Sequence, residues 1–113
     1  LNPETRGMIG AAQLRLMKKS AVLVNTARGA IVDEPALYEA LRDKVITGAA
    51  LDCFTVEPLP ADHRYWTHPR VHVTPHIAGA TNPRTASPGV IENIKRLRNG
   101  QPLIHTVDPK TGY

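Results

Sequence analysis

The sequence predicts an α/β chain: a parallel sheet of about three strands with flanking helices. Three observations carry this. Short continuous apolar runs recur along the chain, as in parallel strands buried on both faces. Segments of helical period alternate with them. Residues able to do chemistry stand directly after each apolar run, at the carboxyl ends of strands where open α/β sheets bind ligands.

The elements follow in order. Residues 10–19 (GAAQLRLMKK) read as a helix, with Lys18 and Lys19 at the end where cations suit the dipole. Residues 21–25 (AVLVN) read as the first buried strand. Asp33 is an N-cap residue, and Pro35 fits the first turn of the helix it starts. Ala36, Leu37, Ala40 and Leu41 form that helix's apolar face. Gly48 breaks the pattern, and residues 49–54 (AALDCF) read as a second buried strand. A polar, Pro-rich loop over 57–70 leads to a third strand, 71–74 (VHVT), which Pro75 ends. A last helix over about 90–98 closes at Asn99-Gly100. Ser87 is positioned to cap it, with Pro88 at its first position; otherwise Pro88 kinks a longer helix. Turn chemistry marks Asp108-Pro109 and Thr111-Gly112.

Composition narrows the function. The chain has 113 residues, 42% of them apolar, which suffices for one folded core. Eight Gly and ten Pro fall short of a low-complexity signature. No apolar run nears the roughly 18 residues of a membrane span, so a membrane role is not expected. The lone Cys53 forms no internal disulfide and reads as a small buried hydrophobe. Fourteen Lys+Arg against ten Asp+Glu give a net charge of +4. The basic residues form no run or stripe and do not alternate with aromatics, so nucleic acid is not an expected partner.

The strand ends present Asn25-Thr26-Ala27-Arg28-Gly29, then Asp52 and Glu57, then Pro75-His76-Ile77-Ala78-Gly79. Arg28 offers a planar fork for a substrate carboxylate. His76 can pass a proton at neutral pH. Glu57 bonded to His76 would favour its charged form and fix its tautomer. Asp52 can accept from a carboxamide, and Gly29 and Gly79 permit close backbone approach to a ligand. This set suits hydride transfer on a 2-hydroxy or 2-keto acid. No residue set suggests a metal site.

The stretches LNPETRGMI, LVNTARGAIVDEPALYEAL, GAALDCFTVEPLP and VTPHIAGAT closely resemble the D-isomer-specific 2-hydroxyacid dehydrogenase family. The resemblance runs with little interruption from Leu1 to Thr81 and more loosely to Tyr113. It implies a partial Rossmann-like sheet. Residues 1–81 would be the C-terminal half of an NAD(P)-binding domain. Residues 82–113 would be a helix and tail returning toward a substrate domain absent from this sequence. It implies Arg28, Glu57 and His76 as catalytic residues. Thr5, Thr26, Ala27, Arg28, Asp52, His76, Ala78 and Gly79 would line the cofactor, which is NAD, with NADP also admitted. Glu57 stands where the related formate dehydrogenases carry Gln, which favours a hydroxyacid. The implied setting is a cytoplasmic homodimer acting on a small 2-hydroxy or 2-keto acid.

The glycines never form the GxGxxG spacing of a dinucleotide-binding loop. The expectation is therefore a fragment of such an enzyme, inactive alone. The alternatives are a non-catalytic NAD-binding or dimerisation module, or an NAD sensor like the family's corepressors, which keep the same triad.

Overall fold

A computed structural model describes residues 1–110. The turn signal at Thr111-Gly112 lies outside them. The chain forms two compact units, one over Leu1–Gly79 and one from Ala80 onward.

The first unit is built on a parallel sheet in the order β1-β2-β3: β1 Val22–Asn25, β2 Gly48–Leu51, β3 Val71–Val73. Helix α1 (Ala11–Leu16) precedes β1, and α2 (Glu34–Arg42) lies in the crossover to β2. The predicted fold class is thus present. Pairing aligns Leu23 with Ala49 and Val71, and Asn25 with Leu51 and Val73. Residues in one such row share a sheet face. This face packs into a core with Leu14 of α1, Leu37 and Leu41 of α2, and Ile46.

The alternate rows correct one expectation. Within these residues one face of the first strand is open, with Val22 52% and Val24 63% exposed. The reason is layering, since α1 and α2 both pack on the Leu23 side.

Local chemistry explains the helix limits. Gln13 Oε1 accepts from the Gly10 N–H (3.1 Å) at the start of α1. That helix stops at Leu16, short of the predicted Lys19, because Met17 is already extended. Beyond it, Thr47 Oγ1 donates to the Lys19 carbonyl and Thr47 N–H to Ala21, drawing this segment toward the strands. Asp33 caps α2 as predicted, accepting from Ala36 N–H (3.0 Å), with Pro35 in the first turn.

In the second unit, one helix, α3, runs Pro83–Arg98 with Pro88 inside it. The predicted fresh start at Ser87 is not used. Asn82 caps instead, accepting from Arg84 N–H, and Pro83 takes the tolerated first turn. Pro88 cannot donate to the Arg84 carbonyl, but this stretch is exposed and water can satisfy that group. The C-terminus closes as predicted. Gly100, at φ +63°, donates to Leu97, and Gln101 donates to Arg96, a Schellman closure. Asn93 then holds the chain at Ile104 through two hydrogen bonds.

Gly29 fixes how the β1 and β2 loops pack. It is buried, and a Cβ there would overlap the backbone of Phe54. Its close approach is therefore to the protein's own chain and not to a ligand, which corrects the sequence expectation. Gly79 has open space where a Cβ would stand, so no contact in this structure requires glycine there. Gly29→Ala should accordingly cost about 3 kcal/mol of stability, while Gly79→Ala should stay within about 0.5 kcal/mol of wild type. Urea unfolding of both variants checks the contrast.

Candidate active site

Because all three strands run parallel and in register, their carboxyl ends Asn25, Leu51 and Val73 form one edge. The loops leaving that edge carry Thr26–Arg28, Asp52–Glu57 and Thr74–Gly79. The predicted residues from three separate segments therefore share one rim.

Asp52 is the rim's anchor. It is 2% exposed, and its oxygens accept from Thr74 Oγ1 (2.5 Å), Ile77 N–H (3.0 Å) and Ala78 N–H (2.9 Å). The Thr74 bond foremost, then the two backbone donors against the opposing effect of burial, holds its carboxyl below the ordinary carboxylate range. About four lone-pair sites are available on a carboxylate. The protein takes three, leaving one on Oδ2 open.

Asp52 thereby fixes a backbone that places His76. His76 has φ +54°, a left-handed conformation that costs a non-glycine residue about 1–2 kcal/mol. The bonds from Ile77 and Ala78 on one side, and His76 N–H to the Thr74 carbonyl on the other, hold it there. Backbone strain over-determined in this way is typical of functional positions.

Glu57 meets His76 across the rim. Its Oε2 lies 2.8 Å from His76 Nδ1, and its Oε1 accepts from Phe54 N–H (2.8 Å). The His76 bond, then the Phe54 bond, pulls the Glu57 carboxyl below its usual range. A carboxylate on Nδ1 makes that nitrogen the donor and leaves Nε2 for exchange with a ligand. Both side chains remain accessible, His76 at 42% and Glu57 at 36%.

Arg28 is exposed, and its Nη1 donates to the Ala27 carbonyl (2.6 Å). Its positive charge also acts on Glu57. Thr26, Ala27, Ala78 and Gly79 are all exposed on the rim. Thr5 sits differently: its hydroxyl and backbone bond within the Asn2–Thr5 turn.

Several residues that organise the site carried no functional signal in the sequence reading. Asn25, buried, donates from Nδ2 to the Arg28 carbonyl and accepts from Ala27 N–H, which shapes the Thr26–Arg28 loop. Thr74 bonds Asp52. Their available signal was position: each is the polar residue ending an apolar run. Trp66, the one tryptophan, lines a cavity of about 450 Å³ together with Glu57 and His76.

Whether the residues fit a dinucleotide can be judged from this geometry. The open space at Gly79, the spare Asp52 lone pair and the exposed Ala78 suit the nicotinamide end. No glycine-rich phosphate loop is present among the 113 residues to hold the pyrophosphate.

Comparison with known proteins agrees with this reading. Residues 1–78 match the family model for the NAD-binding domain of D-isomer-specific 2-hydroxyacid dehydrogenases. The glyoxylate/hydroxypyruvate reductase A of Photorhabdus laumondii is 43% identical over 111 residues, 98% of this chain and 36% of that protein. The D-3-phosphoglycerate dehydrogenase of Methanocaldococcus jannaschii is 46% identical over 103 residues, covering 20% of its length. A crystal structure of a D-isomer-specific 2-hydroxyacid dehydrogenase from Xanthobacter autotrophicus, in complex with NADPH and MES, superposes with a TM-score of 0.91 at 48% identity. It covers all of this chain and 47% of that one. The NADPH-dependent glyoxylate/hydroxypyruvate reductase from Sinorhizobium meliloti, in complex with NADP and sulfate, gives 0.89 at 37% identity. It covers all of this chain and 37% of that one. This chain therefore spans well under two thirds of the relatives it matches.

The depressed carboxyls give a testable pH dependence. A group whose pKa is lower folded than unfolded stabilises above its unfolded value and loses that contribution as pH falls through the folded one. Stability should thus fall on acidification below about pH 4. Asp52→Asn should be less stable than wild type at neutral pH, with the gap narrowing as pH drops through that window. Urea unfolding across pH measures both; a gap constant with pH would contradict the role of the ionised Asp52.

Proposed function

The chain belongs to the D-isomer-specific 2-hydroxyacid dehydrogenase family through its NAD-binding domain, and on that premise we propose that the whole protein reduces a small 2-keto acid with a nicotinamide cofactor. The observation that carries this is the His76 Nδ1–Glu57 Oε2 bond at 2.8 Å on the carboxyl edge of a parallel sheet.

In this reading the nicotinamide, when bound, supplies the hydride. His76 gives a proton from Nε2 to the carbonyl oxygen of the substrate as it becomes a hydroxyl, and takes it back in the reverse direction. Glu57, ionised well into the acid range, holds the ring in the required tautomer and offsets the imidazolium charge. Arg28 grips the substrate carboxylate with its guanidinium fork and polarises the carbonyl. Asp52 accepts from the carboxamide with its remaining lone pair and positions the backbone of Ala78. Thr26, Ala27 and Gly79 offer small surfaces against which a planar ring can lie; Thr5 borders the same site in this assignment.

The names of the relatives support glyoxylate and hydroxypyruvate as substrates. NAD is the cofactor implied by the resemblance, and the NADPH and NADP of the two solved relatives support the phosphorylated form as a second reading. The domain division at residue 81, a homodimer and a cytoplasmic setting belong to the same proposal. Among the described residues, no helix is long and apolar enough to cross a membrane.

In the whole protein, His76→Asn should lower kcat for glyoxylate reduction about 100-fold or more. Near wild-type turnover would refute the assignment. Arg28→Ala should cost about 10–100-fold in kcat/KM, the value of a charge-assisted bond pair. Steady-state absorbance at the reduced-nicotinamide band measures both.

A further inference from the structure

The cavity that His76 opens onto is chemically lopsided. Its carboxylates are largely engaged, Asp52 by Thr74, Ile77 and Ala78 and Glu57 by Phe54 and His76, and His76 keeps Nε2 open. The remaining wall is apolar, with Phe54, Leu59, Val73 and Trp66, and no lysine or arginine lines it. Trp66 is its largest member and is fixed in place. Its indole N–H donates to the Pro60 carbonyl (2.8 Å) and its backbone N–H to the His63 carbonyl (3.1 Å). With the polar edge spent, the ring offers the cavity an apolar surface, and it is still 50% exposed.

Resting on the 2-keto acid reduction proposed above, we propose that Trp66 is a specificity-determining residue, closing the apolar end of this cavity and limiting the substrate to a small substituent beyond its keto carbon. An alkyl or aryl substituent would meet compatible surface but collide with a ring that its own hydrogen bonds hold still.

The test is steady-state kinetics of the whole protein on glyoxylate, 2-oxobutyrate and phenylpyruvate, with NADH and with NADPH, comparing wild type, Trp66→Leu and Trp66→Ala. The readout is the ratio of kcat/KM for phenylpyruvate to that for glyoxylate, which a merely structural defect would not move because both values would fall together. The ratio should rise about tenfold or more in Trp66→Ala, with a smaller rise in Trp66→Leu, the size expected for pocket volume acting on an apolar group. Trp66→Leu carries the test if Trp66→Ala does not fold. A ratio within about twofold of wild type in the folded variants, alongside a wild type active on glyoxylate, overturns the role of Trp66 alone. A wild type that reduces none of the three acids with either nucleotide overturns the underlying function and this proposal with it.

Discussion

The site depends on one buried carboxylate. Asp52 leaves the end of β2 and takes three hydrogen bonds from the segment that follows β3. A charge at 2% exposure would be costly without partners; with three donors it is satisfied, and each donor is oriented in return. The segment so held includes His76, whose left-handed backbone no local preference would supply. Two adjacent parallel strands thus become the two halves of one rigid bracket, and the imidazole stands on it.

The other side of the rim is built on the same logic with different atoms. Gly29 lets the chain after β1 lie directly against Phe54, and Asn25 bonds the backbone on both flanks of the loop between them. Phe54 N–H then orients Glu57, the partner of His76. The chain of contact runs from the β1 loop through Phe54 and Glu57 to His76, and returns through Asp52. Arg28 stands at the beginning of that circuit and His76 at its end, so the groups proposed to hold a carboxylate and to move a proton are tied through protein backbone.

Much of this was legible in the sequence because strand ends are legible. Apolar runs mark strands, parallel order puts their ends on one edge, and Arg28, Asp52, Glu57 and His76 follow those ends. What could not be read were facts of three-dimensional neighbourhood. Val22 and Val24 look like a strand buried on both sides, since nothing in their identity shows that both helices pack opposite them. Pro88 reads as a helix start because Ser87-Pro88 repeats the cap-and-proline pair that Asn82-Pro83 forms five residues upstream, and the structure uses the earlier pair. Gly29 was read as space for a ligand when its missing Cβ is filled by Phe54. Thr74 acts through a side-chain bond to Asp52, far from it in sequence.

The division of labour in the rim also explains its polarity. In the proposed reading Asp52 keeps one lone pair for the carboxamide and His76 Nε2 serves the reacting oxygen, while the other polar contacts of these residues are made within the protein. In that reading the substrate carboxylate is held by Arg28, and shape is read by the apolar wall around Trp66. An apolar pocket discriminates by volume, at about 1–3 kcal/mol per methylene, and discriminates best when its walls cannot move. In the proposal for Trp66, the indole bond to the Pro60 carbonyl orients the ring and supplies that stiffness, whereas an unpinned indole would yield to larger substituents and blunt the choice.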